Sequence, residues 1–396
     1  MLRKNRLFTP GPTPLLPAAQ AAMASFTAHH RTADFRNLFQ GVLADMKQFV
    51  GTKNDVLVLA CSGTGMMEAS VSNLTSPGDK VLVLTAGKFG ERWTGITKAF
   101  GCAVDVLSVP HGETFDFAEI RARITPDVRA VFVQATESST GVRHDIESIA
   151  KLVHAHKDTL LIVDAITGLG TTHLQVDGWG IDFIIGGSQK ALMMPPGLAY
   201  AAVSERAWQR METSKSPRYY FDLRKERKSA AKGESAYTPA TSLFAAMGAA
   251  LEFIRSLGNG DLAAGRETLV NNAELCAEMT RAGATALGLK VYASAPAAAL
   301  TAITSPDGLD SGKIVKEFRE TFDAVVANGQ GEMKGQLFRI AHIGYYDYLD
   351  TVGILAALEQ VIAKTTSRRV EFGSAVRAAQ EVYARSMTDN GQLIGA

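Results

Sequence analysis

Between residues 55 and about 203, short apolar runs alternate with amphipathic stretches, and this rhythm constrains the fold more than any other feature of the chain. The runs are VLVLAC, KVLVLTAG, AVDVLSV, RAVFVQATES, TLLIVDA, DFIIGG and LAYAAVS. Several are apolar throughout, as expected of strands covered on both faces by helices. The stretches between them, such as TGMMEASVSNLT and HDIESIAKLVHAHK, have helical periodicity. A chain that repeats strand, helix and strand in this way predicts an α/β structure built around a mostly parallel sheet.

Beyond about residue 260 the order changes. RETLVNNAELCAEMTRAGATALG reads as a long helix, LKVYAS and ALTAITS as short strands, and SGKIVKEFRETF as a helix. DAVVAN and GQLFRIAHI read as further strands, and TVGILAALEQVIAKTT as another helix. The expected organisation is an N-terminal arm over 1–16, a large domain over 17–262 and a smaller α+β domain over 263–396. A length of 396 residues is ample for two cores. Before the change lies SKSPRYYFDLRKERKSAAKGESAYTPATS, which is polar, basic and aromatic. It predicts either a solvated connection or a segment covered by another subunit.

The formal net charge of +1 has no basic excess, which argues against nucleic acid and anionic membrane as partners. Small molecules are the better expectation. Cys61, Cys102 and Cys276 are far apart with no CxxC spacing, so neither a disulfide framework nor a structural zinc site is expected. The start, MLRKNRLFTPGPTP, runs into proline before any apolar stretch of signal-peptide length. No segment approaches the roughly 20 apolar residues needed to span a bilayer. These features predict a cytoplasmic protein.

Ligands of open α/β sheets gather at the carboxyl ends of the strands, and four features fall at such ends. ACSGTGMMEAS opens a helix with small residues that let backbone N–H groups approach an anion; a simple strand-to-helix turn explains it equally well. ATESSTG offers Ser138, Ser139 and Thr140, whose alternative use is helix capping. LLIVDA ends in Asp164, a carboxylate costly to bury unless a cation meets it or it caps a helix. GGSQKALMMPPG places Lys190 among apolar neighbours. A desolvated lysine loses proton affinity and becomes a nucleophilic amine, although a single lysine also snorkels readily to the surface. Lysine, carboxylate and anion cup together are the inventory for holding pyridoxal phosphate.

The order and spacing of these features resemble class V aminotransferases of fold type I, in the alanine–glyoxylate and serine–pyruvate group. The likeness runs from FTPGPTPLLP to FRIAHIG and is most specific in LLIVDAITGLGTTHLQVDGWGIDFIIGGSQKALMMPPG. It implies the fold type I architecture of pyridoxal phosphate-dependent transferases, a mostly parallel seven-stranded sheet in a large domain with a smaller C-terminal α+β domain. It also implies that Lys190 forms a Schiff base with the cofactor and that Asp164 pairs with the pyridinium nitrogen. Ile166 would pack against the ring and Ser138 would reach its phenolic edge. Thr64, Gly65 and Met66 would bind the phosphate, with Gln189 as a side-chain donor. Phe89 would stack on the ring, with Trp93 as the weaker choice, and Arg339 would grip the substrate carboxylate.

The family's partner subunit supplies a tyrosine and, three residues later, a threonine to the phosphate; here Tyr237 and Thr238 stand side by side. The resemblance therefore implies a homodimer with shared active sites. The implied activity moves an amino group from alanine or serine to glyoxylate or pyruvate, with aspartate as a possible donor. A cysteine desulfurase is a competing expectation, set against by Gln189 before the lysine and by Cys276 in mid-helix. A non-catalytic small-molecule binding protein is another. His30, Arg31 and His342 receive no role.

Overall fold

The computed structural model describes residues 3–389. Its large sheet has seven strands in the order Asp55–Leu59, Ala199–Val203, Phe183–Gly187, Leu160–Asp164, Val128–Gln134, Lys80–Thr85 and Ala103–Ser108. Only Ala199–Val203 runs antiparallel to its neighbours. The mostly parallel seven-stranded arrangement expected from the sequence is therefore the one found.

Continuous apolar runs form this sheet because both faces are covered. Leu82, Leu84, Val131, Val133, Leu161 and Val163 point into one core. Val81, Val83, Ala130, Phe132, Leu160 and Ile162 point into the other. The period-two alternation of a strand thus separates neighbouring residues into two cores. Helices Pro17–Ser25, Ala33–Val50, Ile146–His154 and Thr241–Leu257 cover the first face, and Gly63–Leu74, Lys88–Ala99 and Glu205–Thr213 cover the second. Many helices start on a side chain that accepts an otherwise unpaired N–H, as Thr32, Ser62, Asp145 and Ser204 do.

A second sheet has the order Arg6–Phe8, Ala324–Asn328, Leu337–Ala341 and Leu300–Thr304. Its core is packed by helices Leu262–Ala286, Ser311–Phe322 and Tyr348–Thr365. Its first strand comes from the chain's beginning and runs parallel to Ala324–Asn328, so the arm carries a strand that its polar sequence does not announce. LKVYAS is a correction in the other direction. It forms no strand, only an isolated bridge between Val291 and Ile303, with the Tyr292 N–H bonded to the Ala302 carbonyl.

The polar segment after residue 213 is tied down by its hydrogen bonds. Asn73, near the end of helix Gly63–Leu74, donates to the Phe221 carbonyl (2.6 Å) and accepts from the Leu223 N–H (3.1 Å). Arg218 donates to the Ser72 and Met211 carbonyls. Leu223–Ala230 then forms a short helix. Tyr219 nevertheless stays 74% exposed and Tyr220 44% exposed, which is unusual for large aromatic side chains. Among the described residues no helix is long and apolar enough to cross a membrane.

Candidate active site

The parallel strands of the large sheet finish along one edge, and most of the candidate residues stand in the loops that follow. Asp164 is the last residue of its strand and is 5% exposed. One of its oxygens accepts the Ile166 N–H at 2.9 Å. Burial pushes its carboxyl up to about 6 against the pull of that N–H; Glu137 adds to the push, and Lys190 and Arg92 oppose it.

Lys190 follows the neighbouring strand by a short turn. Ser188 closes this turn by donating to the Pro195 carbonyl (2.7 Å) and accepting the Leu198 N–H (3.3 Å). Burial pulls the Lys190 ammonium down to about 8, Asp164 works against this, and Arg339 and Arg92 add to it. The amine donates to the Pro10 carbonyl. The Thr13 hydroxyl lies 3.2 Å from the carbonyls of both Gln189 and Lys190. Between them is Gly11, at φ +153°, where an added Cβ would come within 2.5 Å of the amine. The N-terminal arm thus lies directly on the lysine and leaves no room for a side chain there.

Helix Gly63–Leu74 opens at the end of strand Asp55–Leu59 with Ser62 as its cap. The Met66 N–H is turned inward to the Ser62 carbonyl (3.2 Å), and Met66 is fully buried. The Gly65 N–H faces the Ser62 hydroxyl at a long 3.4 Å. The N–H groups of Gly63 and Thr64 have no carbonyl to bond within the helix and are the ones open to an anion. Gly63 is pressed against Ile166, whose Cδ1 would lie 2.3 Å from an added Cβ. Gly65 makes room for Cys61 and Phe221.

Phe89 is partly exposed on helix Lys88–Ala99. The Arg92 guanidinium sits 4.8 Å from its ring centre and donates to the Thr64 hydroxyl at 2.9 Å. Ring, cation and helix opening therefore form one connected wall. Trp93 is elsewhere, fully buried against Phe132 in the core. Ser138 is buried, and its carbonyl accepts from Arg339 at 2.7 Å.

Arg339 belongs to the second sheet and is 3% exposed. Its other donors reach the Asn328 carbonyl at 3.2 and 2.6 Å. Burial pulls the guanidinium down to about 10, so it stays charged near neutral pH. Among the described residues it has hydrogen bonds to carbonyls and no carboxylate partner. Gln189 carries a buried side-chain oxygen with no partner among them, beside Gly187 and Ile166.

Tyr237 and Thr238 are not brought to this place through the hydrogen bonds that connect the others. Tyr237 donates to the Tyr219 carbonyl (2.8 Å) and stacks on Tyr220 at 5.1 Å, while Thr238 is exposed. Arg31 is exposed and bonded to His30. His342 is buried, with Nδ1 3.1 Å from the Ala298 carbonyl, and burial lowers its imidazole to about 3. Cys276 is buried in helix Leu262–Ala286 and its thiol is pushed up to about 11, the opposite of an activated nucleophile.

Glu137, Arg92 and the Pro10–Thr13 turn stand at the site without having been singled out by the sequence. Glu137 is fully buried and accepts four hydrogen bonds: from the N–H groups of Phe89, Gly90 and Ser139, and from the Ser139 hydroxyl. A signal for it exists in AGKFGERW, which starts a helix with no side chain of its own to cap it. Arg92 lies three residues after Phe89, the spacing that puts a helical cation over a ring.

These residues fit pyridoxal phosphate on their own chemistry. The structure offers a lysine of lowered proton affinity, a buried carboxylate accepting a single hydrogen bond, an amide side chain whose buried oxygen has no partner among the described residues and a helix opening beside an aromatic ring.

Comparison with known proteins agrees. The family described as Aminotransferase class-V matches residues 13–299. The "Soluble hydrogenase, small subunit" of Synechococcus sp. (strain PCC 6716) is 38% identical over 97% of this chain and 100% of its own length. The "L-aspartate--glyoxylate aminotransferase" of Paracoccus denitrificans is 32% identical over 98% of each chain. The crystal structure of pyridoxamine-pyruvate aminotransferase from Mesorhizobium loti superposes with a TM-score of 0.90 at 26% identity, covering 97% of this chain and 98% of that one. The chain belongs to the class V aminotransferases, pyridoxal phosphate-dependent enzymes of fold type I.

Proposed function

We propose that the protein moves an amino group from a small amino acid, alanine or serine, to a small 2-oxo acid, glyoxylate or pyruvate. The observation that carries this is the buried Arg339 guanidinium, charged and without a carboxylate partner, held by the Ser138 carbonyl beside the Lys190–Asp164 site. A single desolvated arginine of this kind suits one α-carboxylate, because its two-pronged fork matches that group.

Lys190 would hold the cofactor covalently, with Asp164 on the ring nitrogen and Phe89 and Ile166 against the ring. Ser138 would meet the ring's edge, and the Gly63 and Thr64 N–H groups at the helix opening, with Gln189, would take the phosphate. Bound there, pyridoxal phosphate supplies a ring that absorbs negative charge developing at the substrate's α-carbon. The Lys190 amine would take the α-proton from the bound substrate and return it. An amine with its proton affinity lowered to about 8 does this better than an ordinary lysine. Asp164 keeps the ring nitrogen protonated, and Arg339 orients the substrate. Over the whole reaction the amino acid would leave as its 2-oxo acid and the 2-oxo acid would leave as its amino acid.

The same proposal includes a homodimer, in which Thr238 and Tyr237 of one chain complete the other chain's phosphate site. The exposed Thr238 and the exposed Tyr219 and Tyr220 beside it support this. Mixing inactive Lys190→Ala chains with inactive Thr238-disrupted chains should then restore part of the activity; full activity from a strict monomer would rule the dimer out. A cytoplasmic location is part of the proposal too, supported by three cysteines with no disulfide.

The substrates are tested by a panel of L-alanine, L-serine and L-aspartate, each against glyoxylate and pyruvate. Alanine or serine should give the highest kcat/KM. Aspartate in first place would replace the proposed donor, consistent with the name of the Paracoccus denitrificans relative. No amino transfer with any pair would sink the proposal.

A further inference from the structure

Helix Lys88–Ala99 begins at Gly87, which has no side chain to cap it. Three consecutive N–H groups are met instead by two residues from the neighbouring strand end. Glu137 takes those of Phe89 and Gly90 on one oxygen, at 3.0 Å each. Its other oxygen takes the Ser139 N–H at 3.1 Å and the Ser139 hydroxyl at 2.6 Å. The Ser139 oxygen in turn accepts the Lys88 N–H at 3.1 Å. Gly87 permits this: an added Cβ would lie 2.5 Å from the Ser139 hydroxyl and 2.7 Å from the Glu137 carboxyl carbon.

Between Glu137 and Ser139 is Ser138, whose carbonyl is bonded to Arg339. One carboxylate therefore joins the helix that carries Phe89 to the turn that carries Ser138 and braces Arg339. We propose that Glu137 is a positioning residue for the cofactor, fixing the Phe89 backbone and the Ser138 turn as a single unit. This rests on the assignment of the Lys190 pocket as the cofactor site.

The chemistry requires a carboxylate. Each oxygen accepts two hydrogen bonds, and all four partners are donors. A glutamine offers one oxygen and turns its NH₂ toward N–H groups that also donate. Glutamine therefore loosens one half of the clamp while keeping the side chain's size. Aspartate keeps both acceptors on a shorter stem. A helix cap of purely structural importance would leave cofactor affinity untouched once the protein is folded, and that separates the two roles.

The test is a double-mutant cycle on the full-length protein, stripped of cofactor and titrated with pyridoxal phosphate. Binding is followed by absorbance, and the melting temperature of each cofactor-free variant is recorded. Wild type comes first: if borohydride does not trap its cofactor on Lys190, the pocket assignment has failed and Glu137 has no cofactor to position.

If it does, Glu137→Gln should weaken cofactor affinity about tenfold, within the range of couplings between contacting residues. Phe89→Ala should weaken it comparably. The double variant should be no more than about twofold worse than Phe89→Ala alone, because Glu137 acts through that residue's helix. Glu137→Asp should recover part of the loss. Wild-type affinity in a folded Glu137→Gln protein, or losses that multiply in the double variant, would overturn the inference. If Glu137→Gln does not fold, Ser139→Ala enters the same cycle. It removes the Lys88 acceptor and one Glu137 donor, and its effect should likewise vanish in the Phe89→Ala background.

Discussion

Asp164 ends strand Leu160–Asp164 and Glu137 lies three residues past the end of the adjacent strand Val128–Gln134; both are buried, yet the protein gives Asp164 one hydrogen bond and Glu137 four. Asp164 keeps acceptor capacity beyond the one Ile166 N–H that it takes among the described residues. Glu137 has none to spare. A buried carboxylate is costly unless its acceptors are met, so the two residues solve one problem differently. Glu137 is satisfied by the fold and belongs to its framework. Asp164 is left short, and a cationic ring nitrogen is what would complete it.

The sharpest way to break this comparison is catalytic. Removing one partner of a buried charged pair costs about 3–5 kcal/mol, or about 150- to 5,000-fold. Asp164→Asn should therefore lose turnover on that scale, whereas Glu137→Gln, whose defect is in cofactor affinity, should keep most of its turnover once the cofactor saturates. Equal losses in both, measured as kcat at saturating cofactor, would erase the distinction.

Arg339 extends the contrast to a cation. It is buried with carbonyls and no carboxylate in hydrogen-bond contact among the described residues, so Arg339→Ala should weaken binding of alanine or serine by about 2–5 kcal/mol while retaining cofactor. Arg339→Lys keeps the charge without the fork and should recover only part of this. Substrate dependence of the half-reaction gives both numbers. An unchanged dependence in Arg339→Ala means another cation holds the carboxylate, and Arg92 beside Phe89 is then the first to examine.

In the cofactor-free protein the order of the two carboxylates reverses. The folded-state value of Asp164 is raised from 3.8 to about 6. A raised carboxyl contributes stability below its unfolded value and loses it as pH climbs through the folded one. Wild type should therefore lose roughly 2 kcal/mol relative to Asp164→Asn between pH 4 and pH 7, at about 1.4 kcal/mol per unit and with the unfolded carboxyl already half ionised at pH 4. Urea unfolding at the two pH values measures this directly. At pH 7 Asp164→Asn should be at least as stable as wild type, while Glu137→Gln should be less stable by about 1–3 kcal/mol because buried donors lose their acceptor. The smallest effect expected is that of Ser139→Ala on the same unfolding curves, about 1 kcal/mol for one hydroxyl in the Glu137 network.

The same two residues show why part of this site can be read in the sequence and part cannot. Asp164 and Lys190 each follow an apolar strand, so the cost of burying them is legible from their immediate neighbours alone. Glu137 sits among serines and threonines, where its neighbours suggest a solvated turn; two of its four donors are the N–H groups of Phe89 and Gly90, and nothing local links those residues to it. Pro10 and Gly11 reach Lys190 across about 180 residues of sequence, through a strand that pairs with Ala324–Asn328. Local periodicity has no access to such contacts. The strand rhythm itself is legible because each strand meets two cores, whereas LKVYAS, with one bridge and no second face to cover, reads as a strand and is none.

The central claim is that Lys190 holds the cofactor. It is tested most directly by adding pyridoxal phosphate to the cofactor-free protein, reducing with borohydride and mapping the labelled peptide by mass spectrometry. The label should appear on Lys190 in stoichiometric amount, with attachment half-maximal near pH 8, where its amine loses its proton, and not near the ordinary lysine value of 10.5. Stoichiometric label on any other lysine, with Lys190 unmodified, would contradict the account.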